Sequence, residues 1–400
     1  MKERKHIRLY ALLSASVLSL VATVGWSQQP SLRWLGTLGG NSSSAYGVSA
    51  DGSVVVGWAQ NDEGHTRAFR WTASGSMTDL GTLGGSSSSA YGVSADGSVV
   101  VGWAQNDEGH TRAFRWTASG SMTDLGTLGG CCGAAYGVSA NGSVVVGWAR
   151  DDENWYTKAV RWTDSEGVQE IDTPYAYEGS VAYDVSASGS AIVGISYFTS
   201  GIGSVFLWQN GTVQTIASYA EAVYGVSADG SVVVGSADYG AVRWVNGSMQ
   251  DLGGGYGSTA YDVSADGSIV VGEFDTSVSG REHAFRWTQA TGAEDLNTVY
   301  ADLLSDGSYL IAARAISPDG RYIVGYGYNA ATRRNEAFLL DTGFPLRGDV
   351  DRNGSVDDAD LLEVLFSFGG QGYTNQDLNW DGTIDDADLL TVLFNFGSGG

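Results

Sequence analysis

A four-residue turn, Ser-Ala-Asp-Gly or a near copy, recurs seven times along the 400-residue chain, each time between an aromatic, apolar run and a valine-rich run that ends in glycine. The copies begin at Ser49, Ser94, Ser139, Ser186, Ser227, Ser264 and Ser317, spaced by 45, 45, 47, 41, 37 and 53 residues. A period in the forties with four strand-like runs per unit is the pattern of a propeller blade, a small antiparallel sheet repeated around an axis. Residues 90–124 display the unit: AYGVS, SVVVGW, RAFRW and SMTDLG predict four successive strands rich in aromatic and β-branched side chains. Asp-Gly joins the first two, because glycine accepts the positive φ that a tight hairpin demands. No 3.6-residue apolar period runs through the repeats, which excludes leucine-rich and helical arrays.

The repeat is offset at its two ends. The seventh unit passes from its third run, EAFLL (336–340), into Gly343, Pro345 and an acidic tail, with no fourth run. At the other end SLRWLG (31–36) aligns with SMTDLG (76–81), and both are followed by Thr-Leu-Gly-Gly. The N-terminal segment is therefore expected to supply the missing strand and close an all-β, seven-bladed β-propeller over residues 31–341, which removes the unpaired sheet edge of an open array. Glycine is abundant, 58 of 400, yet 43% of residues are hydrophobic, so the composition is that of a turn-rich folded chain.

Residues 1–27 differ in kind. Lys2, Arg4, Lys5 and Arg8 precede a mostly apolar stretch over 9–24, with small residues Gly25 and Ser27 beyond it. This predicts a secretory signal peptide, with a retained N-terminal anchor as the alternative; no cysteine follows, as a lipoprotein would need. No other apolar stretch approaches about 18 residues, so no membrane span is expected after cleavage. Loss of this segment, with its four basic side chains and Glu3, moves the net charge from −24 to −27, which repels nucleic acid and anionic lipid. A secreted protein, extracellular or at the cell surface, follows as the expectation. Cys131-Cys132 replaces Ser86-Ser87 of the preceding unit in an expected surface connection, as a vicinal disulfide or as two incidental thiols.

The chemistry-bearing motif lies in the last fifty residues. DVDRNGSVDDAD (349–360) recurs after 28 positions as DLNWDGTIDDAD (377–388). Set against a twelve-residue calcium loop, Asp349 and Asp377 stand first, Asp351 and Asn379 third, Asn353 and Asp381 fifth, with Gly354 and Gly382 at the sharp turn. Ser355 and Thr383 offer backbone carbonyls at the seventh place, Asp357 and Asp385 stand ninth, and Asp360 and Asp388 twelfth. Two sites for Ca²⁺ are expected, since the ion takes six to eight hard oxygens and the loop wraps alternate side chains around one point. ADLLEVLFSFG (359–369) and ADLLTVLFNFG (387–397) predict one helix after each loop, with most of Leu365-Phe366 and Leu393-Phe394 expected in the core between them and some left exposed as a docking face.

This loop–helix duplication, over about 348–397, resembles the dockerin type I family. The resemblance implies calcium-dependent binding of a cohesin-like or other surface protein and attachment to a scaffold, often in polysaccharide breakdown. It gives a domain order of signal peptide 1–27, propeller 31–341, linker 342–347 and a small α-helical dockerin-like module at 348–400. The repeats themselves are similar to the HAF family of extracellular repeats: LGTLGG begins at Leu35, Leu80 and Leu125, VVG marks most units, and His283-Ala284-Phe285 appears once in full, with Arg67-Ala68-Phe69 and Arg112-Ala113-Phe114 in its place elsewhere. That resemblance implies secretion and no particular activity.

No catalytic set stands out. His65 and His110 are copies of one loop residue, because residues 35–79 and 80–124 differ only at Asn41 and Ser86, and Asp62-Glu63 reads as a solvated loop tip. The loop face, which carries AQNDEGHT and LGTLGGSSSSA, is the better candidate for a glycan or protein ligand. Trp58, Trp103 and Trp148, with Tyr197 and Tyr326 in similar places, would stack on sugar rings or pack between blades, and their alternation with valine favours packing. The leading functional reading is a secreted, noncatalytic binding or surface protein. The alternatives are a polysaccharide-processing enzyme with its site on the loop face and a purely structural envelope component.

Overall fold

The computed structural model describes residues 29–399 apart from 153–155, 175, 200–201, 238–239 and 277–280. The signal segment expected at 1–27 lies outside the described residues. Among the described residues, strands follow the repeat in successive antiparallel units. The first unit orders Gly39–Val48, Val54–Asn61, Thr66–Thr72 and Met77–Asp79 side by side. Its pattern recurs along the chain, giving a mostly β, propeller-like architecture. The inner strands touch in chain order from Gly39–Val48 through Gly84–Val93 onward, and the last of them, Tyr309–Ile316, touches Gly39–Val48.

Two joins depart from simple repetition. Thr212–Val226 is a single strand that forms the outer edge of the fourth unit and then the inner edge of the fifth. Ser31–Gly36 lies antiparallel to Arg334–Asp341, with Leu32 opposite Leu340 and Trp34 opposite Phe338, and so occupies the fourth place of the seventh unit. Nearby, the Ala337 N–H donates to Ser43 Oγ at 2.8 Å, tying the seventh unit to the first. The inner strands are longer than the sequence predicts. Gly84–Val93 takes in the GGSSSS stretch read as loop, because a register shift between Gly84 and Ser88 keeps that stretch paired with the second strand.

The Ser-Ala-Asp-Gly turn explains its own recurrence. Ser49 Oγ donates to Asp51 Oδ1 at 2.9 Å and accepts from the Val54 N–H, while Asp51 Oδ1 also accepts from the Ser53 N–H. Gly52 closes the turn at φ +70°. Between these anchors the Ala50 N–H bonds the Ala95 carbonyl, and Ala95 bonds Ala140, so adjacent turns link one unit to the next. The Val-Val-Gly glycine is equally local in origin: a β-carbon on Gly57 would lie 2.0 Å from the Ser44 carbonyl, which a bulge in the inner strand pushes across the sheet.

The core lies between neighbouring sheets rather than in one centre. Phe69, Phe114, Phe206, Phe285 and Phe338, all on third strands, are fully buried, and each contributes roughly 2–3 kcal/mol by leaving water. Val54, Val56 and Ala68 of the first unit pack with Val100, Ala104 and Phe114 of the second. The longest repeat spacing holds a short helix, Leu296–Val299, and a 3-10 turn, Ala301–Leu304, that the strand pattern does not announce; Leu296 and Leu304 fill the adjoining core. Cys131 and Cys132 are joined as a vicinal disulfide, within the inner strand Gly129–Val138 rather than in a surface connection.

Beyond the repeats, helices Asp358–Ser367 and Asp386–Asn395 each begin at an Asp with a reciprocal capping box. Their shared core is Val364, Val392, Val356, Ile384, Val350 and Leu346. Of the apolar residues expected mostly in this core, the two aromatics lie outside it: Phe366 is 85% and Phe394 82% exposed. With Val364 and Val392 already facing the partner helix, the residue two places on lies about 200° round the helix axis and points away from it. The 342–347 stretch is packed rather than free, with Thr342 and Leu346 buried and the Arg321 guanidinium bridging to Asp341 at 2.8 Å.

Candidate metal centre and axial channel

The two acidic loops are built alike. Asp360 is fully buried; its Oδ1 accepts from the Val350 and Asp351 N–H groups at 2.7 and 3.2 Å, and its Oδ2 from Asp357 at 2.8 Å. Asp388 repeats this with Leu378, Asn379 and Asp385. Each twelfth-position carboxylate thus folds its loop back onto the helix start. Val356 and Ile384, the eighth residues, exchange backbone bonds with the chain following the other repeat's helix, at Gly397–Ser398 and Gly369–Gly370, which locks the two loops together.

In the first loop Asp349, Asp351 and Asp360 bring carboxylate oxygens within 4.8 Å of one another. Asp349 is 4% exposed; its Oδ2 accepts from the Gly354 N–H at 3.0 Å, while its Oδ1 is buried with no hydrogen-bond partner. In the second loop Asp377, also fully buried, accepts from Gly382 and Asp381, and Asn379 stands where the first loop has Asp351. Burial, followed by the neighbouring carboxylates, pushes Asp349 above the usual range and Asp377 up to about 6, against the opposing backbone bonds. Asp357 and Asp385 accept from the Ala359 and Ala387 N–H groups and so cap their helices. Asn353 Oδ1 accepts from Ser355, and Asp381 Oδ1 from Thr383, shaping the turn that follows each glycine.

The fourth loop residues, Arg352 and Trp380, share a left-handed backbone at φ +60° and +58°. Both face the repeats. Arg352 pairs with Asp266 of the sixth Ser-Ala-Asp-Gly turn, and the buried Trp380 borders a small cavity that Ala50, Ala95, Ala140 and Ala228 also line. The module therefore sits on the turn face, at the end of the axis around which the inner strands stand.

Along that axis runs a cavity of about 280 Å³. Tyr46, Tyr91, Tyr136, Tyr183, Tyr224 and Tyr261 line it in succession, with ring centroids 5.1 to 5.6 Å apart. Arg314 takes the seventh place, its guanidinium 3.9 Å from the Tyr261 centroid, and Glu273 meets both groups. Trp103 and Trp148 donate their indole N–H to Tyr91 and Tyr136 hydroxyls at 3.2 and 3.3 Å, and the Tyr197 hydroxyl meets that of Tyr183 at 3.2 Å. These second-strand aromatics buttress the tyrosines and leave the loop-face stacking role without support.

One layer further in, where the first three units carry glycine, the fourth and sixth carry Asp184 and Asp262. Both are enclosed. Asp184 Oδ2 accepts from the Val226 N–H of the next unit at 2.9 Å, and Asp262 Oδ2 from Ile316 at 2.9 Å. Burial, and for Asp184 also the charge of Asp262, pushes their carboxyls up to about 8 and about 7. The sequence signal was present, in AYDV replacing AYGV, but carried no chemistry until the units were brought around one axis. Of the other sequence candidates, Asp62 and Glu63 are exposed, with Glu63 3.2 Å from His65 in the same loop.

No protein-family model matches the chain, and no curated protein matches it in sequence. Among solved structures it is similar to β-propeller proteins. An oligogalacturonate lyase in complex with manganese is 11% identical, with a TM-score of 0.51 over 78% of this chain and 90% of that one. The β-propeller domain of the Trilobed protease from Pyrococcus furiosus is 14% identical, with a TM-score of 0.47 over 74% and 93%. The chain spans about half, 52%, of TolB from Acinetobacter baumannii, at 13% identity, a TM-score of 0.40 and 51% of this chain. At such identities the likeness is one of fold.

Proposed function

We propose that this chain is a secreted, noncatalytic binding protein of the extracellular space or cell surface, a seven-bladed propeller closed by its N-terminal strand and carrying a calcium-ordered docking module. The observation that carries the metal half is Asp349 Oδ1, buried and unpartnered beside Asp351 and Asp360. A buried acceptor without a partner costs about 1–3 kcal/mol, which a cation at that point would reverse. The donor set fits calcium: carboxylates, Asn353 and Asn379 amide oxygens, and the Ser355 and Thr383 carbonyls are all hard oxygens. The ion would supply order, drawing together carboxylates that otherwise repel.

The pairing of Ser31–Gly36 with Arg334–Asp341 supports ring closure. The exposed Phe366 and Phe394, on two like helices, support a docking role for the module, with a cohesin-like or other surface protein as the partner that the dockerin resemblance implies. The test is calorimetry on the full mature chain stripped of metal. Two calcium ions should bind per chain and raise its thermal stability, with about 2.7 kcal/mol of stabilisation per ion at a hundredfold excess over Kd. Asp349→Asn should remove one ion and Asp377→Asn the other. A titration without heat and a melting curve indifferent to calcium would refute the metal assignment.

A further inference from the structure

Two carboxyl groups, Asp184 and Asp262, and one guanidinium line the axial cavity among phenol rings, and Glu273 meets that guanidinium. Arg314 is already engaged, by Glu273 at 3.5 Å and by the Tyr261 and Tyr326 rings. Asp184 lies in the fourth unit, away from this pair. No basic side chain pairs with it among the described residues, and its hydrogen-bond partners are backbone amides. A carboxylate has about four acceptor positions, so two amides leave it unsaturated. It stands beside Tyr136, Tyr183 and Tyr224, the middle of the tyrosine series. Ring faces and a carboxylate both favour positive charge, and Arg314 over Tyr261 shows this wall accepting a cation. An anion would meet two acids there, Asp184 and Asp262.

We propose that the axial channel binds a small organic ammonium ion, a primary or quaternary amine, held by the Asp184 carboxylate and the Tyr136, Tyr183 and Tyr224 rings. Its size follows from the cavity, about 280 Å³, which takes a few carbon atoms and one charged nitrogen. Trp380 borders the far end of the axis, so entry is from the tyrosine side. Glu273 keeps Arg314 from repelling the ligand across the ring.

The experiment uses the full mature chain in calcium at pH 9, where the Asp184 carboxyl, raised to about 8, is ionised, with ethylammonium and tetramethylammonium chloride as probes and sodium chloride and glucose as controls, read by calorimetry and ligand-observed NMR. Saturable one-to-one binding of an ammonium probe is expected, weakened roughly tenfold or more in Asp184→Asn, which keeps an acceptor for the Val226 amide. Tyr183→Leu should weaken it as well, giving a second reading independent of the carboxylate. Absence of saturable ammonium binding, binding unchanged in both variants, or glucose binding in preference to the ammonium ions would each overturn the proposal.

Discussion

At the residue scale, Asp184 shows one side chain carrying two opposed demands. Its Oδ2 holds the Val226 N–H of the next unit, yet burial raises its carboxyl from an ordinary 3.8 to about 8. Below pH 4 the acid is protonated in both folded and unfolded chain. As pH rises the unfolded chain ionises first, so stability is lost progressively from about pH 4 to about pH 8 and stays lost above. Asp184→Asn keeps the acceptor and removes the titration. It should be more stable than the parent by on the order of 1–3 kcal/mol at pH 8 and nearly equal to it at pH 4, measured by urea unfolding at both. A variant that is less stable at both values would show that the carboxylate is held ionised. The glycine-to-aspartate change was legible in AYDV; its enclosure was not, because nothing local to residue 184 specifies the walls that neighbouring units provide.

Elements were legible to the degree that their cause is local. The Ser-Ala-Asp-Gly turn was found because its bonds, Ser49 to Asp51 and Val54 to Ser49, close within six residues. Inner strands were read too short, because GGSSSS lacks strand-forming side chains and is extended by its pairing partner. Ser88 gives the reason for a serine there. It accepts the Ala68 N–H of the preceding unit at 2.9 Å and donates to the Gly81 carbonyl at 2.6 Å. Ser88→Ala should cost about 1–3 kcal/mol in chemical denaturation by leaving that buried amide unpaired. An unchanged midpoint would mean that the serine is no strut between units. In the helices the split between core and exposed face is what the pattern leaves open: Val364 and Val392 fill the core, and Phe366 and Phe394 are the exposed ones.

At the scale of the whole molecule, contacts between residues some 300 positions apart join the two ends of the repeat array. Deleting Ser31–Gly36 should expose an edge on Arg334–Asp341 and lower the melting temperature of the entire array in one transition. Calorimetry that shows parent-like melting would exclude a closed ring. The module adds a second long-range join through Arg352 and Trp380. The double variant Arg352→Ala, Trp380→Ala should release the module from the turn face, with faster proteolysis at 342–347 and a larger radius of gyration by small-angle scattering. Identical scattering from parent and variant would place the docking energy elsewhere.

The sequence by itself determined the repeat, the all-β propeller character and the spacing of the acidic loops, because each is written in bonds and strand pairings that span a few residues to a few tens. Tertiary structure alone decided that tyrosines 37 to 47 residues apart stand about 5 Å from each other, that Asp184 and Asp262 line one cavity, and that Trp380 ends the axis. The physical reason is that a side chain's neighbours across the axis belong to other units, so their identity enters only when the sheets are set against one another.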